Sequence, residues 1–214
     1  RFADLLRAVW ETGIERIRFT SSHPKDLLPE TIDAMCDVPA VMPHLHLAVQ
    51  SGSSRVLKEM NRRYTAADYM KIVDYARGKK PDFSFSTDLI VGFPGESYEE
   101  FCETKEFIKK VKFDNIYSFV YSRRSGTKAA EMPDNISDKQ KGLWLRELLL
   151  EQREVSEKWL SRFIGKKCRV LVDGKGKEEG MLTGKNDENI IVNFRGGEEL
   201  IGNFADVAIT NAMN

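Results

Sequence analysis

Ser86-Thr87-Asp88-Leu89-Ile90-Val91-Gly92-Phe93-Pro94-Gly95-Glu96 is the stretch whose reading decides the fold. It opens as a strand with small and acidic residues on one side, breaks at Gly92, Pro94 and Gly95, and resumes as a helix from Ser97. A strand that runs through a glycine-rich turn into a helix N-terminus leaves backbone N–H groups free to hold a ligand. Two further segments share this strand-to-polar-loop form, His46 to Ser53 upstream and Tyr121 to Thr127 downstream. Three such loops in one chain point to one shared site.

Working outward, helix and strand signals alternate through residues 1–135. Phe2, Leu5, Leu6, Val9 and Trp10 recur at helical spacing up to Gly13,. A strand is expected over 16–22, a helix after Pro29, and a second strand over 45–50,. Thr65 with Asp68 marks a helix start, followed by Tyr69, Ile72, Val73 and Ala76 on one face. A third strand covers 83–91, Ser97 with Glu100 forms a capping box, and a fourth strand covers 114–122,. Strands separated by helices imply parallel βαβ units.

Strand parity separates two faces. Leu45, Leu47 and Val49 oppose His44, His46, Ala48 and Gln50, while Phe83, Phe85, Leu89 and Val91 oppose Ser84, Ser86, Asp88 and Ile90. Parallel strands buried on both faces read as continuous apolar runs. Here one face suits packing against helices and the other is polar. A closed or nearly closed parallel barrel with a ligand-holding interior fits that split, with its mouth at the strand C-termini. An open sheet with polar residues at its exposed end is the alternative.

From Ser137 the character changes. Leu145, Leu148, Leu149, Gln152, Val155, Trp159 and Phe163 define a long helix ended by Gly165. Residues 139–169 carry nine Lys/Arg against four Glu. Short β runs follow over 168–172, 180–183, 190–194 and 200–209, separated by Asp173-Gly174, Lys185-Asn186-Asp187 and Arg195-Gly196-Gly197,. This tail is expected to form a small five-stranded antiparallel barrel of the kind used to grip nucleic acid. Its own charge is slightly acidic, seven Lys/Arg against eight Asp/Glu. The expected divisions are 1–135, a connecting helix 136–165, and a β-barrel 166–214.

Composition sets ordinary bounds. Lys+Arg and Asp+Glu both number 33, so net charge argues neither for nor against nucleic acid,. Cys36, Cys102 and Cys168 lie 66 residues apart and fit no close-spaced metal motif. A sparse, odd count favours a reducing compartment. No apolar run approaches the roughly 20 residues that span a bilayer. The first residue, Arg1, already stands at a helix start, so the chain is expected to lack its true N-terminus.

Taken together, Thr20-Ser21-Ser22-His23-Pro24, His46 to Ser53, Ser86 to Glu96 and Tyr121 to Ala130 resemble the tRNA methylthiotransferases of the MiaB type, which are radical S-adenosylmethionine enzymes. The β-rich tail resembles their TRAM domain. The resemblance implies a cytoplasmic transferase that adds a methylthio group to C2 of an N6-isopentenyladenosine beside the tRNA anticodon. It also implies S-adenosylmethionine and two [4Fe–4S] clusters as cofactors, the anticodon stem-loop as partner, and no membrane. The family's CxxxCxxC motif and its second cysteine set are not present, and a [4Fe–4S] cluster needs grouped thiolates. The three cysteines are therefore read as small hydrophobes. The chain is expected to be a C-terminal piece, an incomplete barrel of four strands plus tail, inactive alone.

By resemblance, the turn at Ile90 to Gly95, with Val91 and Phe93, is the adenine side of the cofactor site. Gln50 and Ser51 end the preceding strand, and Ser86 and Asp88 face the same interior. Arg123 and Arg124 follow the fourth strand at the same rim, where a guanidinium can pair with phosphate. Tyr121 is the most rim-proximal of Tyr117, Phe119 and Tyr121, which are otherwise expected in the core. Arg153, Lys158, Arg162 and Lys166 are expected to meet RNA phosphates. No catalytic or metal-ligating residue is assigned, and His44 and His46 are read as lumen packing. Gln50-Ser51-Gly52-Ser53 favours the tRNA branch over the branch that modifies a ribosomal-protein aspartate. Ala48 stands where the MiaB pattern usually has Pro. A threonylcarbamoyl-adenosine branch and a non-enzymatic RNA-binding module are the other readings.

Overall fold

The computed structural model describes residues 1–20 and 23–212, and the fold is built on three parallel strands. β1 (His44–His46), β2 (Ser84–Val91) and β3 (Asn115–Val120) lie side by side in that order, with Leu45 opposite Phe85 and Asp88 opposite Tyr117. Leu45, Leu47, Val49, Phe85 and Leu89 are fully buried against α4 (Ala66–Lys79) and α5 (Tyr98–Val111). Burial of each such side chain contributes about 1.5–3 kcal/mol. A slip of one residue in register would turn the whole set outward.

Both helices start at the expected caps. The Thr65 hydroxyl accepts from Asp68 N at 3.1 Å while the Asp68 carboxylate accepts from Thr65 N, and Ser97 and Glu100 exchange the same pair. α1 (Phe2–Glu11) and α2 (Pro29–Asp37, Pro29 in its first turn) precede them, with short helices α3 (Ser54–Glu59) and α6 (Lys128–Glu131) after the strands β1 and β3. The strand expected over 16–22 is reduced to one parallel bridge from Ile17 to Val41. Ile17 N donates to Ala40 O at 2.6 Å and Met42 N to Ile17 O at 3.0 Å. Ser21 and Ser22 lie outside the described residues.

α7 (Asp138–Leu160) packs on α5 and β3, and it starts at Ser137, whose hydroxyl accepts from Gln140 N. Trp144 stacks on Phe101 with ring centroids 5.1 Å apart and planes 8° apart. Gln152 Nε2 donates to Phe113 O at 2.9 Å. A 3-10 turn at Ser161–Phe163 follows, and Gly165, at φ 82°, turns the chain into the tail.

The tail holds four antiparallel strands, β4 (Lys167–Lys175), β5 (Met181–Lys185), β6 (Ile191–Arg195) and β7 (Phe204–Ala208), in the order β6-β5-β4-β7. The expected fifth strand is absent among the described residues, and the sheet is open. The run expected to begin at Leu200 begins at Phe204 instead, because Glu198–Leu200 close a 3-10 turn completed by Gly202 at φ 83°. A register shift between Val172 and Gly174 curls the sheet around its own core of Leu160, Phe163, Cys168, Val170 and Val192,.

Arginines pin this tail to the parallel sheet. Arg16 Nη1 donates to Lys185 O at 2.8 Å and Nη2 to Arg169 O at 3.1 Å, and the same guanidinium pairs with Asp187. Arg18 reaches Asn186 O, and Arg169 pairs with Glu15 at 2.5 Å. On the other side, the buried Asp114 carboxylate accepts from Ser84 Oγ at 2.5 Å, Phe85 N at 3.1 Å and Arg162 Nη2 at 2.7 Å. Arg162 lies over the Trp159 ring at 4.0 Å and the Phe163 ring at 4.3 Å. Truncating one partner of a buried pair leaves the other charge uncompensated. Asp114→Ala should therefore cost about 3–5 kcal/mol in urea unfolding. A loss below about 1 kcal/mol would match a surface pair instead.

Candidate functional site

The β2–α5 turn is shaped by one carboxylate. Glu96, 5% exposed, accepts from Gly92 N at 2.6 Å and Phe93 N at 3.1 Å. The amides expected to be free for a ligand are thus occupied by the chain itself. Gly92, at φ 72°, tolerates no side chain: a Cβ there would stand 2.5 Å from Lys141 Cγ. Arg55 of α3 donates to Gly95 O at 2.6 Å and pairs with Glu100, so the first loop is tied to the same turn. Tyr121, just past β3, meets Phe93 edge-on at 5.4 Å and donates its backbone N–H to Val91 O at 2.8 Å. Lys141, paired with Asp134 at 2.5 Å, places Nζ 5.5 Å from the centre of the Tyr121 ring. The three strand-end loops therefore converge on one rim, as their shared pattern predicts.

Below the rim, a polar chain lines the face opposite the helices. Ser86 Oγ sits 3.0 Å from both His44 Nε2 and His46 Nδ1, and His46 Nε2 is 3.5 Å from Asp88 Oδ2. Burial, aided by the nearby Arg18 charge, pushes His44 down to about 4, so it is neutral at physiological pH,. Burial likewise brings Arg18 down to about 10, with Arg16 adding to the shift. His46 meets Tyr117 edge-on at 5.7 Å. The two histidines thus do more than fill the lumen: they fix the Ser86 hydroxyl and reach Asp88. Strand parity, which puts all four residues on one face, carried the signal.

The six residues expected at the cofactor differ in access. Asp88 is half-buried, and Gln50, at φ 73°, bridges to Leu89 through Gln50 N to Asp88 O and Ile90 N to Gln50 O, both 2.9 Å. The Gln50 amide makes no side-chain hydrogen bond among the described residues. Ser86 is taken up by the histidines, and Phe93, against Tyr121, forms a buried apolar floor, whereas Val91 turns to the opposite face with Phe85 and Leu89 and is core rather than part of the cofactor side. Ser51 is fully buried, 3.3 Å from Thr104 Oγ1, and accepts from Ser53 N at 3.1 Å; it braces the loop rather than facing the rim. Gly52 beside it lies so close to α5 that a Cβ would stand 2.6 Å from Thr104 Cα. The Tyr121 hydroxyl is buried without a hydrogen-bond partner. An unpartnered phenol, an unpaired amide, a rim carboxylate and an apolar floor fit a nucleoside-bearing cofactor such as S-adenosylmethionine.

The cations expected at RNA are unequal. Arg123 and Arg124 are exposed and make no ion pair among the described residues. Lys158 is exposed on α7. Arg153 pairs with Glu157 at 2.9 Å, both exposed, a contact worth little,. Lys166 pairs with Asp82 at 3.1 Å, and Arg162 is held by Asp114. Cys36 and Cys168 are pushed up by burial, and no group of three His, Cys, Asp or Glu could hold a metal among the described residues. The cysteines do not fit an iron–sulfur cluster.

Burial pushes the Glu96 carboxyl up to about 7 against the pull of the two amides. A carboxyl raised in the folded state above its unfolded value destabilises the fold as pH rises between those values. His44, pushed down, works in the opposite direction over the same window, so the informative quantity is a difference. Relative to Glu96→Gln, which keeps an acceptor for both amides, the parent chain should lose about 3 kcal/mol between pH 5 and 8. Urea midpoints at these pH values test this, and parallel curves would show that Glu96 stays ionised throughout.

Residues 1–108 match the family model of the Radical SAM superfamily, and residues 161–214 match that of the TRAM domain. Over 200 residues the chain is 44% identical to the tRNA-2-methylthio-N(6)-dimethylallyladenosine synthase of Caldicellulosiruptor saccharolyticus, covering 94% of this chain and 42% of that protein. The protein of the same name from Thermoanaerobacter sp. is 47% identical over 199 residues, covering 92% and 42%. That from Haemophilus influenzae is 45% identical over 212 residues, covering 98% and 45%. The chain spans less than half the length of these curated relatives. Among solved structures, coproporphyrinogen III oxidase from Escherichia coli, a radical SAM enzyme, aligns with 87% of this chain and 51% of its own at a TM-score of 0.57 and 15% identity, a likeness of fold alone. The parallel sheet is thus part of a radical SAM barrel, and with a family model spanning half its residues the chain belongs to the radical SAM superfamily.

Proposed function

We propose that the full-length protein is a cytoplasmic tRNA methylthiotransferase acting on C2 of an N6-dimethylallyl adenosine in the anticodon stem-loop. The observation that carries this reading is the union, in one pinned body, of a radical SAM barrel rim and a TRAM tail. Over that span, proteins named for this reaction are 44–47% identical. In this reading residues 1–135 supply the barrel half, 136–165 the connecting helix and 166–214 the RNA-gripping tail. S-adenosylmethionine would supply the radical and methyl chemistry.

The chain's own residues bind and orient. Asp88 and the Gln50 amide offer partners to ribose hydroxyls or an amino group. Phe93 forms the apolar floor for a flat base, and Tyr121 has one hydroxyl to give. Arg123 and Arg124 meet phosphate at the rim, because neither is committed to a carboxylate. Lys158 and the displaceable Arg153 extend that surface along α7. With Arg162 held by the buried Asp114 and Lys166 paired at the surface with Asp82, fewer phosphates are neutralised than the run of cations implies,.

The test is anaerobic incubation of full-length protein with S-adenosylmethionine and a hairpin carrying N6-dimethylallyladenosine, followed by nucleoside mass spectrometry. A methylthio product from that hairpin alone is expected. Product only from a threonylcarbamoyl-adenosine hairpin or a ribosomal-protein peptide would assign another branch, and no product would favour a binding module. Asp88→Ala should weaken S-adenosylmethionine binding by about 5- to 150-fold, the loss of one buried hydrogen bond. Unchanged affinity by titration calorimetry would return Asp88 to a structural role with His46.

A further inference from the structure

Three aromatic side chains alternate along β3 and its extension, Tyr117, Phe119 and Tyr121, and they point away from the helices that cover Ile116. Tyr117 is 50% and Phe119 54% exposed, although the sequence expectation placed them in the core. Two of the three are braced by neighbours. Tyr117 meets His46 edge-on, and Tyr121 meets Phe93 edge-on with Lys141 over its ring. Phe119 between them has no aromatic or cationic partner among the described residues. Neighbouring positions on one strand face are about 6.6 Å apart. Asp88 lies opposite Tyr117 in the register, and the uncommitted Arg123 and Arg124 follow two residues beyond Tyr121.

Two exposed aromatics in line with the half-buried Tyr121, at the edge of a sheet and next to free guanidinium groups, match single-stranded RNA chemistry. Bases stack on aromatic rings while phosphates pair with arginine. From this we infer that Phe119, framed by Tyr117 and Tyr121, is the specificity-determining platform for an N6-alkylated purine splayed from an RNA loop. The ring face takes the base, and the apolar edges take the branched alkenyl chain. An unmodified adenosine leaves that apolar surface uncovered, so the platform discriminates by what it buries. This assignment rests on the proposed tRNA reading.

The test uses full-length protein without S-adenosylmethionine, so that nothing turns over, and measures fluorescence anisotropy with two hairpins. One carries N6-dimethylallyladenosine in its loop and the other plain adenosine. The parent should prefer the alkylated hairpin. Phe119→Ala should weaken both hairpins through the lost stacking and the alkylated one more, reducing the preference by about 5- to 150-fold, and Phe119→Trp should retain it. A parent that shows no preference refutes the tRNA reading and this assignment together. A parent that prefers the alkylated hairpin, with a Phe119→Ala variant that prefers it equally, overturns the platform alone. Loss of melting temperature in Phe119→Ala with preference intact also overturns it, by showing the ring packed against another protein segment.

Discussion

The rim depends on one buried carboxylate. Glu96 gathers the N–H groups of Gly92 and Phe93 and so fixes the turn between the central strand and α5. Everything that reaches the rim leans on that turn. Arg55 braces it from the first loop, Lys141 packs on Gly92 from α7, and Tyr121 abuts Phe93 from the end of β3. Burying a carboxylate is costly unless it is well bonded, and here two amides offset part of that cost while burial still raises the carboxyl to about 7. The outcome is a rim held by internal partners. What it presents to a ligand is shape, an apolar floor and a few uncommitted polar atoms, rather than a cradle of free amides.

The same economy governs the cations. Arg16 donates to the carbonyls of Lys185 in β5 and Arg169 in β4, Arg18 to that of Asn186 just after β5, and Arg162 to Asp114. These are short-range attachments that make tail and barrel one body, and they remove charge from the surface that a sequence count would assign to RNA. Arg123 and Arg124 remain uncommitted, and they stand beside the aromatic row of β3. In the proposed reading, recognition is concentrated where cofactor and base would meet.

Much of this was legible in the residues. The caps at Thr65 and Ser97, the parity of His44, His46, Ser86 and Asp88, and the β runs of the tail follow from local chemistry, and the structure carries them. The rest depends on distant partners. Glu96 turns back only three and four residues, onto Phe93 and Gly92, but nothing in that local sequence shows that its carboxylate would be buried. Nothing near Arg162 names Asp114, 48 residues away, as its partner. Tyr117 and Phe119 resemble core by composition, yet only the opposite face of β3 is covered by α7. The strand at Ile17 reads well as a strand, but only Ile17 itself pairs, with Val41.

The central claim is that the rim is set by Glu96 in the absence of any ligand. Amide hydrogen exchange of the ligand-free chain, read at Gly92 and Phe93, tests it most directly. Both amides should exchange slowly, like the neighbouring Ile90 amide paired to Gln50, and both should lose that protection in Glu96→Ala while Ile90 keeps it. Exchange of Gly92 and Phe93 at the rate of unstructured peptide, with Ile90 protected, would contradict the account.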